Sequence, residues 1–129
     1  MNVETVLIVD DDPDVRGYVS EALRLGGFAI LEAADGAAAL EIAATSARPI
    51  DILVTDVNMP GIDGLELARR VRARYPATGV LYMSGAAAEV TARWNLAAGG
   101  VFLQKPFGPD ALLEHVRDAA RRVQPRSAA

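Results

Sequence analysis

Five short, largely apolar runs recur along the chain, and a helix-length segment follows each one: Val6 to Val9, Phe28 to Ala33, Ile52 to Thr55, Gly79 to Met83 and Val101 to Leu103. Runs of this length, rich in Val, Ile and Leu and bounded by Gly, Pro or Asp, read as buried strands rather than helices. None is joined to the next by the short turn of a hairpin. Strands connected only through helices lie parallel, with helices packed on both faces of the sheet. The fold class is therefore α/β: a doubly wound, five-stranded parallel sheet with five helices.

The helices carry their own signals. Pro13 suits a first helical position, with Asp12 as N-cap. Val15, Tyr18, Val19, Ala22 and Leu23 then recur at three- and four-residue spacing, giving one apolar face, and Gly26-Gly27 stops the helix. Asp35-Gly36 opens an alanine-rich helix carrying Leu40 and Ile42. Leu65, Ala68 and Val71 mark the face of a third, with Arg69, Arg70, Arg72 and Arg74 largely on its solvent side. A fourth is read over 86–98, with a thin apolar face of Val90, Trp94 and Ala97. Asp110 leads the last, which carries Leu112, Leu113, Val116, Ala119 and Val123. The expected organisation is one domain over 1–123 and a flexible tail over 124–129.

The ends of the runs carry the chemistry. Asp10, Asp11 and Asp12 follow the first run, Asp56 the third, Ser84 the fourth and Lys105 the fifth; the second offers nothing comparable. In the flavodoxin-like strand order 2-1-3-4-5, strands one and three are neighbours, strand two is at the far edge, and ligands bind beyond the carboxyl ends. That order gathers the polar ends into one cleft and leaves the bland strand remote from it.

Carboxylates that share a cleft repel one another unless a cation or protons intervene. Oxygen ligands without His or Cys suit magnesium, which keeps several waters and takes a phosphate oxygen readily. A lysine pairs with a phosphoryl or carboxylate oxygen, and a serine hydroxyl hydrogen-bonds another. A carboxylate is itself a nucleophile for phosphoryl transfer, yielding an aspartyl-phosphate. Asp56, central in the set and followed by Asn58, Pro60 and Gly61, is the candidate nucleophile.

Composition narrows the alternatives. There is no cysteine, which excludes disulfides, thiolate nucleophiles and cysteine metal sites. A net charge of −4 disfavours a nucleic-acid partner, whose phosphates need a basic face. Met1 to Thr5 lacks the basic region of a signal peptide, and no run approaches membrane-spanning length. The expected setting is the cytoplasm, with neither nucleic acid nor membrane as partner.

Val9-Asp10-Asp11, the stretch Asp56 to Gly64, Met83-Ser84-Gly85 and Lys105-Pro106-Phe107 together resemble the response-regulator receiver domain of two-component signalling, over roughly residues 4 to 123. The resemblance implies Asp56 as phospho-acceptor and Mg2+ as cofactor. Asp11 would be a direct ligand, Asp10 would act partly through water, and the main-chain carbonyl of Asn58 would be a further ligand. Ser84 would follow the phosphoryl group on activation and Lys105 would pair with it. A cis peptide between Lys105 and Pro106 would help aim the lysine. The implied donor is a histidine kinase or a histidine phosphotransfer protein. The implied output is a change in the surface of the fourth helix, fifth strand and last helix, through which receivers also form homodimers. Where many receivers carry a switch Tyr, this chain has Phe102, which lacks the hydroxyl of a hydrogen-bonded inward state. Ala86, two residues after Ser84, offers no polar group to a water that would hydrolyse the aspartyl-phosphate.

Other readings compete. Asp10 to Asp12 taken alone reads as a helix-capping acidic turn, Asp56 as a loop cap and Lys105 as a surface lysine; the combination is what points to chemistry. A haloacid-dehalogenase-like phosphotransferase also uses an Asp nucleophile, but neither Asp10-Asp11-Asp12-Pro13-Asp14 nor Asp56-Val57-Asn58 fits its first motif. An unphosphorylated docking module would not need Asp10, Asp11, Asp56, Ser84 and Lys105 all intact. Outside the cluster, His115 has no neighbouring ligand and reads as structural or exposed, while Trp94 and Phe102 read as packing or as partner surface. The region around Leu81 to Gly85 and Phe102 to Phe107 is similar to receivers of hybrid sensor histidine kinases. The chain is thus expected to be such a receiver or a stand-alone regulator, not itself an enzyme in the ordinary sense.

Overall fold

A computed structural model describes residues 3–85 and 100–122. The strands are β1 (Thr5–Val9), β2 (Ala29–Ala33), β3 (Ile52–Asp56), β4 (Gly79–Ser84) and β5 (Val101–Gln104). Among the described residues the helices are α1 (Pro13–Leu25), α2 (Gly36–Thr45), α3 (Gly64–Arg74) and α4 (Pro109–Arg122). The helix expected over 86–98 and the tail expected over 124–129 lie outside them.

The strands form one parallel sheet in the order β2-β1-β3-β4-β5. Alternation along each strand divides the core in two. Leu7, Val9, Leu53, Val80 and Tyr82 face Ala39 and Ala43 of α2 and Leu67, Ala68 and Val71 of α3. Val6, Ile8, Ile52, Val54, Leu81 and Met83 face Val19 and Leu23 of α1 and Leu112, Val116 and Ala119 of α4. Burial on both faces is why β1, β3 and β4 are almost continuously apolar.

Three aspartates start helices. Asp12 accepts the N–H of Asp14, Asp35 that of Ala38 and Asp63 that of Glu66, at 2.9, 2.8 and 2.9 Å. Each satisfies a main-chain donor that the first helical turn leaves free. At the end of α1, Gly27 has φ of 96°, a conformation that a side chain disfavours. The end of α2 has no such glycine; instead the Tyr75 hydroxyl donates to the Ala43 carbonyl at 2.9 Å, and Arg74 Nη2 to that of Ala44 at 3.3 Å.

The strand ends differ in detail from the sequence reading. Asp56 and Ser84 are the last residues of their strands rather than the first beyond them, because the ladder continues through Asp56 opposite Met83 and Ser84 opposite Gln104. Phe28 precedes β2, its N–H held by the Leu23 carbonyl at the end of α1. Tyr18, expected on the apolar face of α1, is 42% exposed. Its ring packs at the helix edge 6.1 Å from that of Phe107, and its hydroxyl donates to the Phe107 carbonyl at 3.1 Å.

Candidate functional site

The carboxyl edge of the sheet brings together residues that are far apart in sequence. Asp10 leaves β1 with 0% exposure, and its polar atoms are held on several sides. Its N–H donates to the Ala33 carbonyl at 3.3 Å, extending the ladder to β2. Oδ1 accepts the N–H of Asp12 at 2.9 Å, while Oδ2 lies 3.1 Å from Lys105 Nζ. Asp11, next in the chain, is exposed.

Asp56 ends β3, the strand beside β1, with its side chain 14% exposed. Lys105 Nζ lies 3.5 Å from its Oδ2. Burial raises the pKa of this carboxyl above 3.8, and the nearby charge of Asp10 pushes the same way; Lys105 and a hydrogen bond from the main chain of Asn58 oppose the rise. Oxygens of Asp10, Asp11 and Asp56 all lie within 4.8 Å of one another.

Ser84 is buried at the end of β4, and its carbonyl accepts the main-chain N–H of Lys105 at 2.8 Å. This bond carries the β4–β5 pairing one residue past the strand and sets where Lys105 leaves the sheet. The Lys105–Pro106 peptide is cis. Phe102 is half-buried on β5, its ring stacked on Tyr82 of β4 with centroids 5.3 Å apart and planes 29° apart. Beside the lysine, Asp14, Val15, Tyr18, Pro106 and Phe107 line a cleft of about 310 Å³.

The structure thus joins Asp10, Asp11, Asp56 and Lys105 directly, and brings Ser84 against Lys105 through the main chain. Phe102 lies on the α2–α3 side of β5, packed against Tyr82. Asn58 reaches the cluster through its main chain, which donates a hydrogen bond to the Asp56 carboxylate. Two residues at the site escaped that reading. Arg16, on α1, donates from Nη1 to the Asp10 carbonyl at 2.7 Å. Gly64 packs so closely that a Cβ there would collide with the Asp56 carbonyl oxygen. Neither has a local signal, since a helix arginine reads as solvated and a glycine after Asp63 reads as a turn.

The donor set is all oxygen, one member is exposed and a lysine stands beside it. Such a set fits a hard cation that retains waters, and it does not fit zinc or another metal that prefers nitrogen or sulfur.

Fold and site together define a flavodoxin-like α/β domain: a 2-1-3-4-5 parallel sheet with an acidic, lysine-bearing cleft on its carboxyl edge. The chemotaxis protein CheY4 of Vibrio cholerae superposes with a TM-score of 0.81 at 32% identity, over 92% of this chain and 99% of that one. The receiver domain of the hybrid histidine kinase CckA superposes with a TM-score of 0.74 at 36% identity, over 90% and 98%. In sequence, the sensor kinase CckA of Brucella abortus is 40% identical over 116 residues, 88% of this chain and 12% of the kinase. The response regulator MprA of Mycobacterium bovis is 38% identical over 125 residues, 96% of this chain and 54% of the regulator. The chain therefore spans about half of one relative and an eighth of the other. Residues 6–117 match the model of the response regulator receiver domain, and the chain belongs to that family. It is a signalling module of two-component systems.

Proposed function

We propose that the chain accepts a phosphoryl group on Asp56 from a phosphohistidine donor, with Mg2+ in the cleft. The observation that carries this reading is the convergence of Asp10, Asp11 and Asp56 oxygens within 4.8 Å, with Lys105 Nζ 3.5 Å from Asp56. An Asp56 carboxylate oxygen attacks phosphorus; the N–P bond of the donor breaks as the O–P bond forms, and the electron pair leaves on the imidazole. Asp10, Asp11, Asp56 and the Asn58 carbonyl are the groups that would hold the ion. When bound, Mg2+ neutralises charge on the transferring phosphoryl oxygens. Lys105 exchanges a carboxylate partner for a phosphoryl oxygen, and the Ser84 hydroxyl hydrogen-bonds another.

The main-chain bond from Lys105 to Ser84 links the two residues, and Phe102 lies on β5, the strand that leads into Lys105. The changed surface in this proposal is that of β5 and α4 with the intervening segment before β5, which is also where a homodimer would form. The domain runs over 1–123, with 124–129 as a tail. The partners are a histidine kinase or histidine phosphotransfer protein in the cytoplasm. The assignment is the same for a stand-alone regulator and for the receiver of a hybrid kinase, and in neither case does the chain turn over a substrate of its own.

Intact mass after incubation with acetyl phosphate and MgCl2 tests it. One phosphoryl adduct is expected in the wild type, and none in Asp56→Asn or with excess chelator. A stoichiometric adduct on the variant would overturn the acceptor assignment.

A further inference from the structure

Arg16 sits one turn into α1, and its side chain runs back over the start of the helix. Nη1 donates to the Asp10 carbonyl at 2.7 Å, and Nε lies 3.4 Å from Glu32 Oε1 on β2. The other Glu32 oxygen accepts the Ser20 hydroxyl at 2.9 Å, and that hydroxyl oxygen accepts Arg24 Nη2 at 3.2 Å. A polar ladder therefore runs between α1 and β2, and its upper end rests on the acidic cluster.

The Asp10 carbonyl belongs to the peptide that joins Asp10 to Asp11. A donor held on that oxygen fixes the plane of the peptide, and with it the direction in which Asp11 leaves the chain. The Asp10 side chain is already fixed by Asp12 N–H and Lys105. Asp11 is exposed, and no side-chain hydrogen bond of its own orients it among the described residues. Groups that orient ligands from behind are worth a further factor of ten or more in metal affinity.

Charge argues in the opposite direction. A guanidinium near a cation site repels the cation, so on Coulomb grounds alone removing Arg16 should tighten binding. Glu32 answers this by pairing with Nε while leaving Nη1 on the carbonyl. The pair keeps the directional donor and offsets its field.

We infer that Arg16, neutralised by Glu32, is a positioning residue that sets the geometry of the Asp10–Asp11 cation site through the Asp10 carbonyl. This rests on the metal-dependent acceptor reading above.

The test is calorimetric titration of the chelator-treated full chain with MgCl2, at low and high salt, with urea unfolding of each variant alongside. Arg16→Met is expected to weaken Mg2+ binding on the order of tenfold or more, at both salt concentrations. Arg16→Lys, which keeps the charge and a less well-directed donor, is expected to show a smaller loss, and it carries the test if Arg16→Met does not fold. Glu32→Gln is expected to weaken binding only at low salt, because it exposes the field and spares the donor. Ser20→Ala, which cuts the ladder below Glu32, is expected to lower stability and leave affinity unchanged. Unchanged or tighter binding in the Arg16 variants, beside normal binding in the wild type, overturns the positioning role alone. A wild type that binds no Mg2+ overturns the acceptor reading and this inference with it.

Discussion

Lys105 Nζ lies closer to Asp10 than to Asp56: 3.1 Å against 3.5 Å. The side chain proposed to meet the phosphoryl group thus divides its charge between the acceptor and a carboxylate with no exposure to water. Asp10 accordingly has a cationic partner before any ligand arrives, which gives the lysine a structural role of its own.

Lys105→Ala should therefore destabilise the fold. Removing one partner of a buried pair leaves a buried charge, and the 24% exposure of the lysine tempers the effect, so a loss of about 2 kcal/mol is expected. Saturating Mg2+ should restore more stability to the variant than it adds to the wild type, because no lysine competes for Asp10. Urea unfolding with and without MgCl2 checks both. Equal Mg2+ stabilisation of the two proteins would contradict the competition.

Asp56 should titrate above 3.8 in the absence of divalent metal, because burial and Asp10 outweigh Lys105. The sign for stability follows. A carboxyl that binds its proton more tightly when folded stabilises the protein as pH falls through the window between 3.8 and its folded value, and withdraws that contribution as pH rises. Carbon NMR of the Asp56 carboxyl measures the midpoint directly. Added Mg2+ should move it down, since a cation favours the carboxylate; a midpoint at or below 3.8 in chelator would refute the burial argument.

Gly64→Ala should disturb the acceptor from behind. The new methyl meets the Asp56 carbonyl and the Val57 backbone, neither of which is a flexible side-chain end. A stability loss of about 1–3 kcal/mol is expected, together with slower phosphorylation by acetyl phosphate. A variant of unchanged stability and unchanged rate would show that the loop yields freely.

Tyr82 and Phe102 should be energetically coupled. Their stacked rings place Phe102 against a fully buried neighbour on β4. A double-mutant cycle with Tyr82→Leu and Phe102→Leu should give a coupling of about 1 kcal/mol. Coupling indistinguishable from zero would mean that Phe102 moves independently of the core.

The parts of this molecule legible in its sequence are those written in local patterns. The short apolar runs, Asp12 before Pro13, and the polar residues closing four of the five runs all depend on neighbours in the chain, and the flavodoxin-like strand order is enough to bring Asp10, Asp56 and Lys105 together. Contacts between elements were less visible. Arg16 and Glu32 meet through the α1–β2 crossover, and nothing in either segment names the other. Tyr18 fits the apolar stripe of α1 by spacing, yet it lies at the edge, where its hydroxyl finds the Phe107 carbonyl. Sequence shows of Phe102 only the hydroxyl it lacks, while its ring contact depends on the register of β4 on β5.

The ion pair of Lys105 with Asp10 spans 95 positions of sequence. Chain synthesis therefore delivers the acidic half of the cleft long before its cation. A nascent chain that has exposed Asp10 and Asp56 but not Lys105 lacks the cation that lies between the two carboxylates, and the strand that presents the lysine is the last to be made. The cleft is therefore complete only when the last strand has joined the sheet.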